Sequence, residues 1–139
     1  MSGFSPINNS GSMDSKFKPI EEAWFDKTKK DKLFGNWKRR FFSLDMENKT
    51  LSYYADEEKS DFKGAVILND ASTLQRLSNS GSYSNIIEVS GTSVGKGEAV
   101  LVISADSVEM RDYWYSALTE CIRGNLLIIC AKNCVYYLK

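Results

Sequence analysis

From about residue 22 onward, apolar positions fall into short blocks separated by turn residues. Ala23-Trp24-Phe25 opens the first block, and Trp37 to Leu44, Leu51 to Ala55 and Gly64 to Leu68 follow. A weaker block runs from Thr73 to Leu77, and then come Ile86 to Val89 and Val100 to Ser104. Runs this short, with no long helical pattern between them, predict the strands of an antiparallel sandwich or barrel. One later segment follows a helical period instead. Met110, Trp114, Ala117, Leu118 and Cys121 recur at three- and four-residue spacing and form one apolar face. Asp106 is the expected N-cap, Glu109 completes a capping-box-like pair, and Gly124 is the expected stop. The pattern predicts a helix over 107–123 that closes one end of the barrel, with Trp114 as a plug in the core.

The flanks read differently. Residues 1–19 are rich in Ser, Asn and Gly and predict a flexible tail before a domain over 20–124. Residues 125–139 form an apolar extension whose Leu126 to Cys130 run is too short to span a bilayer; its role stays open between a further strand, a partner contact and lipidation of its cysteines. The start of the chain lacks a basic-then-apolar secretory pattern. The three Cys (121, 130 and 134) make no disulfide framework, so a cytoplasmic protein is expected.

Composition narrows the chemistry. The chain of 139 residues has no His, which excludes imidazole acid–base work, Ser–His and Cys–His nucleophiles, and His-ligated zinc. Three thiols cannot build a four-thiolate site. The expectation is a non-enzyme with no cofactor and no metal. Gly91 to Gly97 has the look of a phosphate loop, but it is one residue short, has Gly where Ser or Thr must hold the metal, and leads into a strand; it is read as a hairpin connection.

Net charge is zero, with 18 basic and 18 acidic residues, yet the distribution is uneven. Lys27 to Arg40 holds seven bases and one acid, a local +6 that leaves −6 on the rest of the chain. Such polarity directs one end toward an anionic partner. Strand alternation sharpens this: Lys38, Arg40, Phe42 and Leu44 share one face, and Trp37, Arg39 and Phe41 the other. The first face passes from two cations to two apolar residues, which in a barrel sets Lys38 and Arg40 at the mouth. Two cations at i and i+2 on a strand converge on one polyanion.

The order W-K-R-R-F-F, L-S-Y-Y, K-G-A-V-I-L and R-D-Y-W-Y-S-A-L-T-E-C-I, with seven strands and one closing helix, resembles a pleckstrin homology (PH) domain over about Pro19 to Gly124. The resemblance implies a mainly β fold, a bent antiparallel seven-stranded barrel capped by one C-terminal helix. It also implies a phosphoinositide-binding module peripheral to membranes and active in signalling. Lys27 matches the family's lysine at the end of the first strand, and Lys38 and Arg40 its basic pair on the second. Similarity to cytohesin-like members adds Tyr54 and Lys63 as phosphate contacts. Lys29 and Lys30 on the first loop are expected to touch phosphates, and Lys32, Leu33 and Phe34 to contact the bilayer. The second reading is an adaptor that docks a protein partner, with oligomeric state open. Nucleic acid is not expected, because a pI of about 6.3 lacks the basic footprint of such domains.

Overall fold

The computed structural model describes residues 16–29 and 36–133, the last ten of them as backbone only. Alternation sets the strands and their burial. In β1 (Ile20–Lys29) and β2 (Lys38–Asp45), one phase carries Phe25, Phe42 and Leu44, all without exposure. β3 (Thr50–Tyr54), β4 (Phe62–Ile67), β5 (Leu74–Leu77), β6 (Ile86–Ser93) and β7 (Gly97–Ser104) complete an antiparallel sheet ordered β4-β3-β2-β1-β7-β6-β5. β4 also pairs with β6 through Val66↔Ser93 and Ile67↔Thr92, which closes the sheet into a barrel. Gly91 makes that closure possible. A Cβ there would meet Val66 Cγ1 and stand 2.5 Å from the Ile67 carbonyl oxygen, so only glycine lets the strands approach.

All seven expected strands are present, several with longer ends. β1 starts at Ile20 because its ladder with β2 runs on to Ile20↔Asp45. β6 and β7 are one hairpin paired to Ser93↔Gly97, with Gly95 and Gly97 at φ of +82° and +87°. The Gly91–Gly97 stretch thus lies in a hairpin as expected, but Gly91 to Ser93 and Gly97 belong to its strands and only 94–96 connect them.

α1 (Val108–Asn133) lays Trp114, Ala117, Leu118, Cys121 and Ile122 on the core. The Trp114 ring stands edge-on to Phe25 with centroids 4.9 Å apart. Three expectations are corrected at this end of the fold. Ser107, not Asp106, caps the helix: its Oγ accepts the Met110 N–H at 3.1 Å, while Asp106 is engaged by Arg39. The helix continues through Gly124, since one interior glycine costs only about 1 kcal/mol against alanine and no proline follows to stop it. Finally, residues 16–19 belong with the barrel and not with the expected tail, whose residues 1–15 lie outside the described ones. Phe17 is 7% exposed and packs edge-on against Tyr113 with centroids 5.1 Å apart. The Lys18 N–H donates to the Glu21 carboxylate at 2.9 Å, and the Pro19 carbonyl accepts the Met46 N–H at 2.9 Å. Buried Glu21 also accepts the Tyr113 hydroxyl, which pushes that phenol up to about 12. Among the described residues, no helix is long and apolar enough to cross a membrane.

Candidate functional site

β1 and β2 meet in a ladder that sets Lys27 opposite Lys38 and Phe25 opposite Arg40. The phase that buries Phe25, Phe42 and Leu44 therefore presents Lys27, Lys29, Lys38 and Arg40 where the apolar core gives out. Among the described residues, none of these four cations has a carboxylate partner. Arg40 donates only to a neighbouring backbone group, the Arg39 carbonyl, at 3.0 Å. Like charges opposite one another on a ladder repel, and Lys27 registers the effect. Burial, and after it the charges of Lys29, Arg40 and Lys38, hold its pKa below the usual lysine value. Its ammonium stands 4.9 Å from the centroid of the Tyr53 ring, a cation–π contact that offsets part of the cost. Burial raises the Tyr53 phenol above its ordinary value, against the pull of Arg40. A cluster of unpaired cations on a hydrogen-bonded ladder is preorganised to receive an anion.

Arg39 lies between two of these residues and behaves in the opposite way. Its Nη1 and Nη2 donate to the two Asp106 carboxylate oxygens at 3.0 and 2.8 Å, and Asp26 lies 3.7 Å away. Their mutual hydrogen bond leads in holding Arg39 above and Asp106 below their ordinary pKa values. Asp26, adjacent in sequence to the basic run, is thus turned to the outer face.

Two expected contacts fall away from the cluster. The register Phe42↔Tyr53 and Phe41↔Tyr54 turns Tyr54 outward, edge-on to Phe62 with centroids 5.7 Å apart. Tyr53 is the tyrosine at the mouth. Leu51, fully buried two residues earlier, sets that phase and is the signal that identifies Tyr53 in the sequence. Lys63 sits at the bulge between Tyr53 and Tyr54, with its ammonium 3.6 Å from Asp61. Lys30, Lys32, Leu33 and Phe34 lie outside the described residues. Among the described residues, no group of three or more His, Cys, Asp or Glu is placed to hold a metal.

A family model described as PH domain matches residues 20–123. Solved structures share the architecture. The C-terminal PH domain of pleckstrin, in complex with D-myo-Ins(1,2,3,4,5)P5, is 21% identical with a TM-score of 0.57, over 74% of this chain and 97% of that one. The PH domain of human oxysterol binding protein-related protein 11 is 20% identical with a TM-score of 0.59, over 84% and 88%. The PH domain of mouse ethanol decreased 4 protein is 23% identical with a TM-score of 0.56, over 82% and 90%. None of the curated proteins matches the chain.

Proposed function

The chain belongs to the PH domain family, and from that premise we propose that its barrel mouth binds the phosphorylated inositol headgroup of an anionic membrane lipid. In this reading the domain recruits the protein to membrane surfaces and performs no catalysis. The observation that carries it is the contrast along one strand: Arg39 is neutralised by Asp106 and Asp26, while Lys38 and Arg40 share an uncompensated face with Lys27 and Lys29. A phosphate among Lys27, Lys38 and Arg40 replaces mutual repulsion with charge-assisted hydrogen bonds. Lys29 extends the positive rim, and Lys30, Lys32, Leu33 and Phe34, on the connection outside the described residues, are the proposed contacts with phosphate and bilayer. The C-terminal PH domain of pleckstrin, solved with two inositol pentakisphosphates, supports the same ligand chemistry.

General attraction must be separated from headgroup recognition, because each Lys or Arg near an anionic leaflet contributes about 1 kcal/mol without any pocket. The test is co-sedimentation at physiological salt with a panel of phosphoinositide vesicles and with phosphatidylserine vesicles of matched charge. Wild type is compared with Lys38→Ala/Arg40→Ala and with Lys16→Ala/Lys18→Ala, which removes the same charge from exposed positions outside the cluster. Headgroup binding requires that phosphoinositide vesicles sediment the protein and that the strand double mutant alone abolishes it. Equal loss in both double mutants, or equal binding to phosphatidylserine, replaces this reading with a nonspecific electrostatic anchor.

A further inference from the structure

The β1–β2 ladder is least supported by its own pairing where the cations stand. It runs from Ile20↔Asp45 to Lys27↔Lys38, so its last pair sets two like charges opposite each other, and such a pair repels. Just before Lys38, Trp37 lies outside the ladder and Asn36 turns through a φ of +62°. A ladder end of this kind frays unless something outside it holds the chain. Any ordering of Lys38 that folding leaves undone is then taken from the free energy of binding.

The hold comes from the connection over 78–85, on the outer face of the sheet. Trp37 stands in phase with Arg39 and Phe41, and its ring lies flat on Tyr83, with centroids 4.1 Å apart and planes 12° from parallel. Tyr83 is itself fixed. Its backbone N–H and carbonyl exchange hydrogen bonds of 2.9 Å with Ser80, across a tight turn in which Gly81 takes a φ of +60°. The end of the connection is tied to β7 and the residue after it. The Ser104 hydroxyl donates to the Ser84 carbonyl at 2.6 Å, and the Ala105 N–H donates to the Asn85 carbonyl at 3.0 Å. Ser104 pairs in turn with Asp26, the neighbour of Lys27. The connection therefore starts from an anchor on the barrel wall and reaches the entry of β2 through one aromatic stack.

We infer that Tyr83 is a positioning residue of the headgroup site: it touches no phosphate, but by stacking on Trp37 it holds Lys38 at the mouth against the repulsion of Lys27. This rests on the headgroup reading above and extends the site to a residue on the other face of the sheet. Arg39 does not share the role, because it is one pair further into the ladder and faces the opposite charge of Asp26.

Titration calorimetry with a soluble inositol trisphosphate, with thermal midpoints measured on the same samples, tests the inference. Tyr83→Ala is expected to weaken binding about fivefold, the size of one lost aromatic pair, and Tyr83→Phe, which keeps the ring, to restore it. Tyr83→Leu keeps bulk without a flat ring; it is expected to follow Tyr83→Ala and carries the test if the alanine variant does not fold. A background of Lys38→Ala, which retains Lys27 and Arg40 and with them a measurable affinity, separates positioning from packing. There Tyr83→Ala is expected to cost no further affinity, because the side chain it positions is gone. A stack that serves stability alone would lower the midpoint in both backgrounds and leave affinity as in wild type. Wild-type affinity in Tyr83→Ala and Tyr83→Leu, or an undiminished loss in the Lys38→Ala background, overturns the inference. The headgroup reading is judged by Lys38→Ala/Arg40→Ala: if that variant loses binding while the Tyr83 variants keep it, the inference fails alone. If the double mutant also binds as wild type does, both fail.

Discussion

Lys38, Arg39 and Arg40 are consecutive and chemically alike, yet strand alternation alone sends them to two different environments. Arg39→Ala removes a bidentate pair whose side chains are about half exposed, so the expected loss of stability is below about 1 kcal/mol with inositol phosphate affinity unchanged. Arg40→Ala is expected to do the reverse, with a tenfold or greater loss of affinity and no loss of stability; urea denaturation and calorimetry on both variants separate the two. Lys27 should show the tension between folding and binding directly. Its folded pKa lies below the unfolded value, so the unfolded chain keeps that proton to higher pH and stability rises with pH between the two values. Lys27→Met is expected to abolish this alkaline rise, to stabilise the protein by up to about 1 kcal/mol at neutral pH, and to weaken anion binding. Denaturation midpoints measured across the alkaline range check the sign. The positions of Lys38 and Arg40 were legible because Phe42 and Leu44 fix their face. Tyr54 lies on the face opposite to the one expected, because adjacent tyrosines carry no phase of their own, and the phase resides in Leu51.

At the scale of elements, two glycines of the barrel should respond differently to the same added methyl group. At Gly91 the group would meet Val66 and the backbone carbonyl of Ile67, and a paired backbone has little room to give. Gly91→Ala is expected to cost about 1–3 kcal/mol by overpacking the β4–β6 closure, read as a lowered urea midpoint. At Gly64 the methyl would stand 2.5 Å from Tyr53 Oη, the tip of a side chain that can swing away. Gly64→Ala is therefore expected to lose less stability than Gly91→Ala but to weaken anion binding, because Tyr53 leaves its place under Lys27. The strands themselves were legible from short alternating blocks and turn residues. Their pairing was not, since nothing local to Gly91 announces that β4 will cross there. The helix cap was misplaced for a related reason. Asp106 and Ser107 are both good N-caps, and only the long-range partner Arg39, 67 residues earlier, decides between them.

The molecule as a whole is polar, and the two ends of β2 define its axis. The eight residues of β2 set the Lys38 end about 25 Å from the turn that follows Asp45. Lys49 of that far turn donates its Nζ to the Ile122 carbonyl at 3.2 Å, so α1 leaves the barrel at the end away from the cations. Its continuation over 124–133 consequently starts on the side remote from the proposed ligand. The basic run at the mouth was readable in the sequence as a local charge excess, whereas the exit point of the helix depends on a lysine–carbonyl contact with no sequence signature. This geometry predicts the behaviour of a chain ending at Arg123. The last helical side chains in the core are Cys121 and Ile122, and both are retained. The newly freed carbonyls of the final turn gain what a helix C-terminus favours, a lysine already in place at Ile122. The shortened chain is expected to unfold cooperatively within about 5 °C of the full chain, a shift corresponding to roughly 1 kcal/mol in a domain of this size. It is also expected to bind inositol phosphates with the same affinity. A larger fall in the thermal midpoint would show that the helical extension supports the barrel, and a fall in affinity alone would bring it to the mouth, against the placement of Lys49.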